Sequence, residues 1–164
     1  MIIDSHAHIY PDKLARKAAR SIGDFYDIDM DLDGTVDMLL KVGDEAGVDK
    51  FLVHSVATTP HQVRSINSFI AKSVSEHPDR FIPGCGDEIP EIVDEAIELG
   101  LSGIKLHPDF QEFDIDAPEA MRMYEVLEGR LPILFHTGDY RTQYSKPTKL
   151  IKVLEKFPKL DIIA

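Results

Sequence analysis

The sequence predicts an α/β protein, a (β/α)8 TIM barrel of which only about the first six strands are present. Three observations carry this. Short apolar runs of strand length alternate with amphipathic helical segments along all 164 residues, the pattern of a parallel sheet covered by helices. Polar residues stand at the C-terminal ends of those runs, His6 and His8, His54, Lys105 and His107, and His136, and a barrel gathers its site from such strand ends. An open doubly wound sheet would instead carry a glycine-rich phosphate loop after its first strand. Here the first strand ends in histidines.

The elements follow in order. Ile2-Ile3 leads through Asp4 and Ser5 to His6 and His8, the first strand. Tyr10-Pro11-Asp12 turns the chain, and the Ala-, Lys- and Arg-rich run from Lys13 to Arg20 predicts a short helix. Gly23 to Gly34 holds five Asp and reads as a solvated loop, without the ordered ligand spacing of a calcium site. From Thr35 to Ala46, Val36, Leu39, Leu40 and Val42 lie near helical spacing, and Gly47 stops the run. Lys50 to Val56 is the second strand. Pro60 opens a helix at a favoured first-turn position, with Val63, Ile66, Ile70 and Val74 on one face. Arg80 to Gly84 is the third strand, and a helix from Pro90 to Leu99 closes at Gly100. Leu101 to Leu106 is the fourth strand, and a helix over Ala117 to Leu127 leads to the fifth, Pro132 to His136. Lys146-Pro147 opens a helix to Phe157, and Leu160 to Ala164 begins a sixth strand.

A complete barrel takes about 250 residues and eight strands. Residues 1–164 therefore read as one incomplete barrel domain, the N-terminal portion of a larger protein. Its first and last strands would have unpaired edges, which a missing segment or a second copy in a homo-oligomer would cover.

Net charge is −11, from 29 acidic against 18 basic residues, which argues against nucleic acid or an anionic membrane as the main partner. A small-molecule substrate is the expected partner. No apolar run approaches the about 20 residues of a transmembrane helix, and the N-terminus lacks a signal peptide pattern, so the chain reads as cytoplasmic. Cys85 is the single cysteine and has no partner for an internal disulfide. With no base adjacent in sequence, it is expected to fill space at a strand end.

The chemistry starts from His6 and His8. Side chains alternate along a strand, so both imidazoles share one face and can grip a divalent transition metal. His136 ends the fifth strand, with Gly138 letting the backbone turn away, and is the natural third nitrogen. In Gly103-Ile104-Lys105-Leu106-His107-Pro108, alternation separates Lys105 and His107 from Ile104 and Leu106. If the apolar pair packs on the helices, Lys105 and His107 face the barrel mouth, placed to bind substrate. A carbamate bridge on Lys105 is the second option. His54 is expected to line the pocket, and Arg141 to hold a carboxylate. Asp4 and Asp139 flank the histidines and are candidates to orient an imidazole. Neither makes a convincing catalytic base, so the catalytic residue stays unassigned.

These stretches, Asp4-Ser5-His6-Ala7-His8, Gly103-Ile104-Lys105-Leu106-His107-Pro108 and Pro132-Ile133-Leu134-Phe135-His136-Thr137-Gly138, resemble the amidohydrolase superfamily. More narrowly, they are similar to its amidohydrolase-2 branch, which includes aminocarboxymuconate-semialdehyde decarboxylase. The resemblance implies a (β/α)8 barrel holding a divalent metal, usually zinc with manganese as the other choice, on His6, His8 and His136. The branch's strand-six His and its strand-eight Asp, both ligand and base, have no counterpart within 164 residues. The expected function is a metal-dependent hydrolase that activates water against an ester, amide or lactone. Non-oxidative decarboxylation of a small carboxylic acid is the alternative, and a non-catalytic binding module is the third reading.

Overall fold

In the computed structural model, which describes residues 1–84 and 93–164, the strands form two parallel sheets. One holds β1 (Ile3–His8), β2 (Lys50–His54) and β3 (Phe81–Pro83) in that order; the other holds β4 (Ile104–Leu106), β5 (Ile133–Phe135) and β6 (Ile162–Ile163). Every pairing among the described residues is parallel. The Ser102 amide donates to the Pro83 carbonyl at 3.1 Å, carrying the strand order from β3 to β4. The six strands are consecutive staves of a partial barrel.

The helices are α1 (Asp12–Tyr26), α2 (Val36–Ala46), α3 (Val63–Glu76, entered through a 3-10 turn at Pro60–Gln62), α4 (Val93–Glu98), α5 (Pro108–Gln111), α6 (Pro118–Leu127) and α7 (Pro147–Lys156). Their limits have local causes. Thr35 caps α2 by accepting from the Met38 amide at 3.3 Å, and Gly47 ends it at φ 71°. Proline occupies the first turn of α6 and α7, where its missing N–H costs nothing. The expected start of the fourth helix at Pro90, and Cys85, lie outside the described residues.

Two elements differ from the sequence expectation. α1 does not stop at Arg20; it continues into the acidic stretch as far as Tyr26, ending where Asp27 turns left-handed at φ 56°, and residues 28–34 stay irregular as expected. The reason is tertiary. The Phe25 ring packs edge-on against Tyr26, His107 and Phe110, with centroids 4.9, 5.9 and 5.2 Å away, and this burial outweighs the propensity cost of Gly23 at about 1 kcal/mol. The short helix α5, directly after β4, was not anticipated. It forms because Pro108 fixes the first turn and the His107 ring accepts from the Phe110 amide.

Ile104, Leu106, Ile133 and Phe135 join Tyr124, Leu127 and Val153 in the hydrophobic core, so β4 and β5 present their apolar side chains to the helices. The other face turns inward, where Lys105 lines an interior cavity with Leu52, His54 and Leu134. Gly43 lets α2 sit close to β2: a Cβ there would come within 2.2 Å of the Phe51 ring. No described helix is long and apolar enough to cross a membrane.

Candidate metal centre

The parallel register sets His8 of β1 opposite His54 of β2, after an irregularity between Asp4 and Ala7. His6 joins them at the same end. Ring centroids lie 5.1 Å apart for His6–His8, 4.8 Å for His6–His54 and 4.4 Å for His8–His54. One ring nitrogen from each of His6, His8 and His54 falls within 4.8 Å of the others. Nε2 of His6 and Nε2 of His8 are 3.2 Å apart. Two nitrogens on a tetrahedral zinc with bonds near 2.05 Å stand about 3.4 Å apart, so this pair already has the spacing of two edge ligands.

Electrostatics favour neutral imidazoles, the form that binds metal. Burial, reinforced by the Lys105 ammonium and neighbouring histidines, pushes His6 down to about 4. Burial and the charge of His6 bring His54 down to about 3, and burial beside His54 holds His8 well below the ordinary range. Nδ1 of His8 and both ring nitrogens of His54 are buried without a hydrogen-bond partner. Leaving such atoms unmatched costs about 1–3 kcal/mol each, and an ion in the cluster would take up the one lone pair of a neutral His54. The donor set fits a divalent cation.

A second pair stands beside the first. His107 and His136 stack with centroids 3.9 Å apart and planes 10° from parallel, and His136 lies 6.5 Å from His6. The Tyr26 hydroxyl reaches both, 2.7 Å from Nε2 of His107 and 3.0 Å from Nε2 of His136. Since Nδ1 of His107 accepts from the Phe110 amide, a neutral His107 carries its proton on Nε2 and donates it to the Tyr26 oxygen. The Tyr26 O–H is then the donor to Nε2 of His136. Burial lowers the basicity of both rings, His107 to about 3.

The sequence-predicted residues thus fall into two groups. His6, His8 and His54 form the tight cluster, while His136 stands next to it with His107. Lys105 is 1% exposed beneath them, and its charge bears on His6, His8, His54, His107 and His136. Arg141 stands at the edge of the site, over the Phe25 and Tyr26 rings, where it pairs with Asp139 at 2.6 Å and donates to the Phe25 carbonyl. Asp4 accepts from the His6 backbone amide at 2.9 Å. Neither Asp4 nor Asp139 hydrogen-bonds an imidazole nitrogen in the described residues. Tyr26 was missed, its one local signal being an aromatic pair inside an acidic stretch. Asp109 was missed too; it is buried, accepts from the Thr142 hydroxyl through Oδ1, and leaves Oδ2 without a partner.

Parallel staves deliver imidazoles to one end of a partial β/α barrel, as a candidate metal centre. The chain belongs to the amidohydrolase family, whose sequence profile matches residues 3–164. Among solved structures it is similar to 5-carboxyvanillate decarboxylase from Novosphingobium aromaticivorans with bound manganese, at 17% identity and TM-score 0.67, covering 99% of this chain and 64% of that one. It also resembles 4-oxalomesaconate hydratase from Rhodopseudomonas palustris (20% identity, TM-score 0.62, coverage 99% and 62%). Dihydroxybenzoic acid decarboxylase from Polaromonas, again with manganese, gives 16% identity, TM-score 0.60 and coverage of 98% and 64%. The chain therefore spans less than two thirds of the length of these three structures. No curated protein sequence matches it.

Proposed function

We propose that this chain carries the N-terminal part of a metal-dependent hydrolase acting on an ester, amide or lactone of a small molecule. The observation behind this reading is the convergence of His6, His8 and His54, with ring nitrogens inside 4.8 Å and basicity lowered by burial. These rings would hold a divalent ion, zinc or manganese, whose chemistry would be to polarise a substrate oxygen and to lower the pKa of water from about 15.7 toward 7. His6 and His8 would supply the paired nitrogens and His54 the third; the adjacent His136 would serve instead where its Nε2 exchanges the Tyr26 O–H for the ion. The Tyr26 hydroxyl bridges His107 and His136, which line the substrate side, while Lys105 lies buried in the cavity it shares with His54. The proton acceptor has no assignment among these residues.

Non-oxidative decarboxylation is the second reading. It is supported by the buried Lys105 ammonium, suited to hold a carboxylate, and by the names of two structural relatives. The test is an assay of the full-length protein loaded with zinc or manganese, on a lactone, ester and amide panel and on carboxylated aromatics. Hydrolysis that disappears in a His6→Ala, His8→Ala double variant supports the first reading. Release of CO2 without hydrolysis replaces it with the second, and a protein that retains no metal overturns both.

A further inference from the structure

The histidines open onto a chamber far larger than a small acid needs. Its volume is about 1030 Å3, with His6, His8, His107 and His136 on its floor. Sites for drug-sized ligands span about 300–1,000 Å3. The walls come from three helices: Leu14 and Ile22 of α1, Met38 and Leu39 of α2, Ile66 and Phe69 of α3. Apart from the histidines, Lys17 is the one charged side chain on the wall among the described residues. Arg141, the nearby guanidinium, is tied to Asp139. Toward the opening, Leu14 and Met30 stay 55% and 44% exposed, apolar surface that an occupant would cover.

We propose that the substrate bears a large apolar group, a long alkyl chain or an extended aryl system, which lies between α1, α2 and α3 while its polar head meets the histidines. This rests on the hydrolase or decarboxylase reading of the same site. Recognition of the tail is by dispersion and burial: the wall holds no carboxylate or guanidinium, and its neutral polar side chains, Ser21, Ser55, Thr58, Gln62 and Ser65, are outnumbered by apolar ones. Met30 and Met38 give the wall an adaptable surface. The chamber is continuous with the imidazole cluster, which is why a substrate tail is its occupant rather than a second protein copy.

The test is calorimetric titration of the full-length, metal-loaded protein with straight-chain carboxylates from acetate to octanoate. A tail entering the chamber raises affinity about fourfold per methylene, the equivalent of about 0.8 kcal/mol. Met38→Trp and, separately, Ile66→Trp fill the chamber and cut the octanoate-to-acetate affinity ratio at least tenfold. A flat series in the unmodified protein overturns the proposal. So does self-association that Leu14→Asp abolishes while the series stays flat, because the occupant is then a second copy. A steep series without turnover refutes the proposed reactions and leaves the chamber standing; turnover with a flat series does the reverse.

Discussion

The phenolic oxygen of Tyr26 stands 2.7 Å from Nε2 of His107, joining the last turn of α1 to the end of β4 across 81 positions of sequence. With the Phe110 amide on Nδ1 of His107 and His136 on the far side of the hydroxyl, the contacts form a directed relay. Each proton has one place to go. The relay occupies the lone pair of each neutral ring, Nδ1 of His107 and Nε2 of His136, and it ties the helix above the site to the strands below it.

Replacing Tyr26 with Phe removes the hydroxyl and keeps the ring against Phe25. The expected loss of stability is about 1–3 kcal/mol, the cost of unmatched imidazole nitrogens. Nitrogen-15 NMR of the histidine rings checks the chemistry. In the unmodified metal-free protein His107 is protonated on Nε2 and not on Nδ1; in Tyr26→Phe the His136 Nε2 resonance moves to that of a free lone pair. An unmoved His136 signal contradicts the relay.

The metal-free protein loses stability in acid. His6 and His54 titrate near 4 and 3 in the fold against about 6.5 when unfolded. Between pH 6.5 and 4 the unfolded chain therefore binds more protons, so stability falls as pH falls. His54, buried, adds a slope of about 1.4 kcal/mol per pH unit within that window; His6 is exposed, and solvent screening makes its share smaller. Urea unfolding at several pH values measures it. His54→Gln flattens the slope by one proton's worth, and an unchanged slope contradicts a neutral buried His54.

Gly43→Ala tests how α2 seats on β2. Alanine gains about 1 kcal/mol of helix propensity, but its Cβ would meet the Phe51 ring at 2.2 Å, and Phe51 is 2% exposed. Overpacking a core costs about 1–3 kcal/mol, so the net effect is destabilising, read as a lower midpoint in chemical denaturation. A raised midpoint contradicts this packing.

Much of the fold was legible because it is encoded locally. The apolar runs of β2, β4 and β5, Thr35 and Gly47 at the ends of α2, and the prolines opening α6 and α7 act over a few residues. Pairing of Lys105 with His107 on the inward side followed from strand alternation. The tight imidazole cluster was harder to read. His54 reaches His8 through the β1–β2 register and its irregularity between Asp4 and Ala7, a long-range matter with no local signal. Tyr26 lay in a stretch whose charge suggested a loop. Contacts with His107, Phe110, His136 and Arg141, far along the chain, keep it helical and aimed at the site.

The most direct measurement is the site of metal binding. Zinc or manganese should bind the full-length protein tightly, and a crystal of that complex should show an anomalous peak bonded to Nε2 of both His6 and His8, with His54 or His136 as the third imidazole. His6→Ala, His8→Ala should lower metal affinity at least a hundredfold while leaving the far-ultraviolet spectrum intact. A peak away from both histidines, or undiminished affinity in the double variant, would contradict a metal centre at the end of β1.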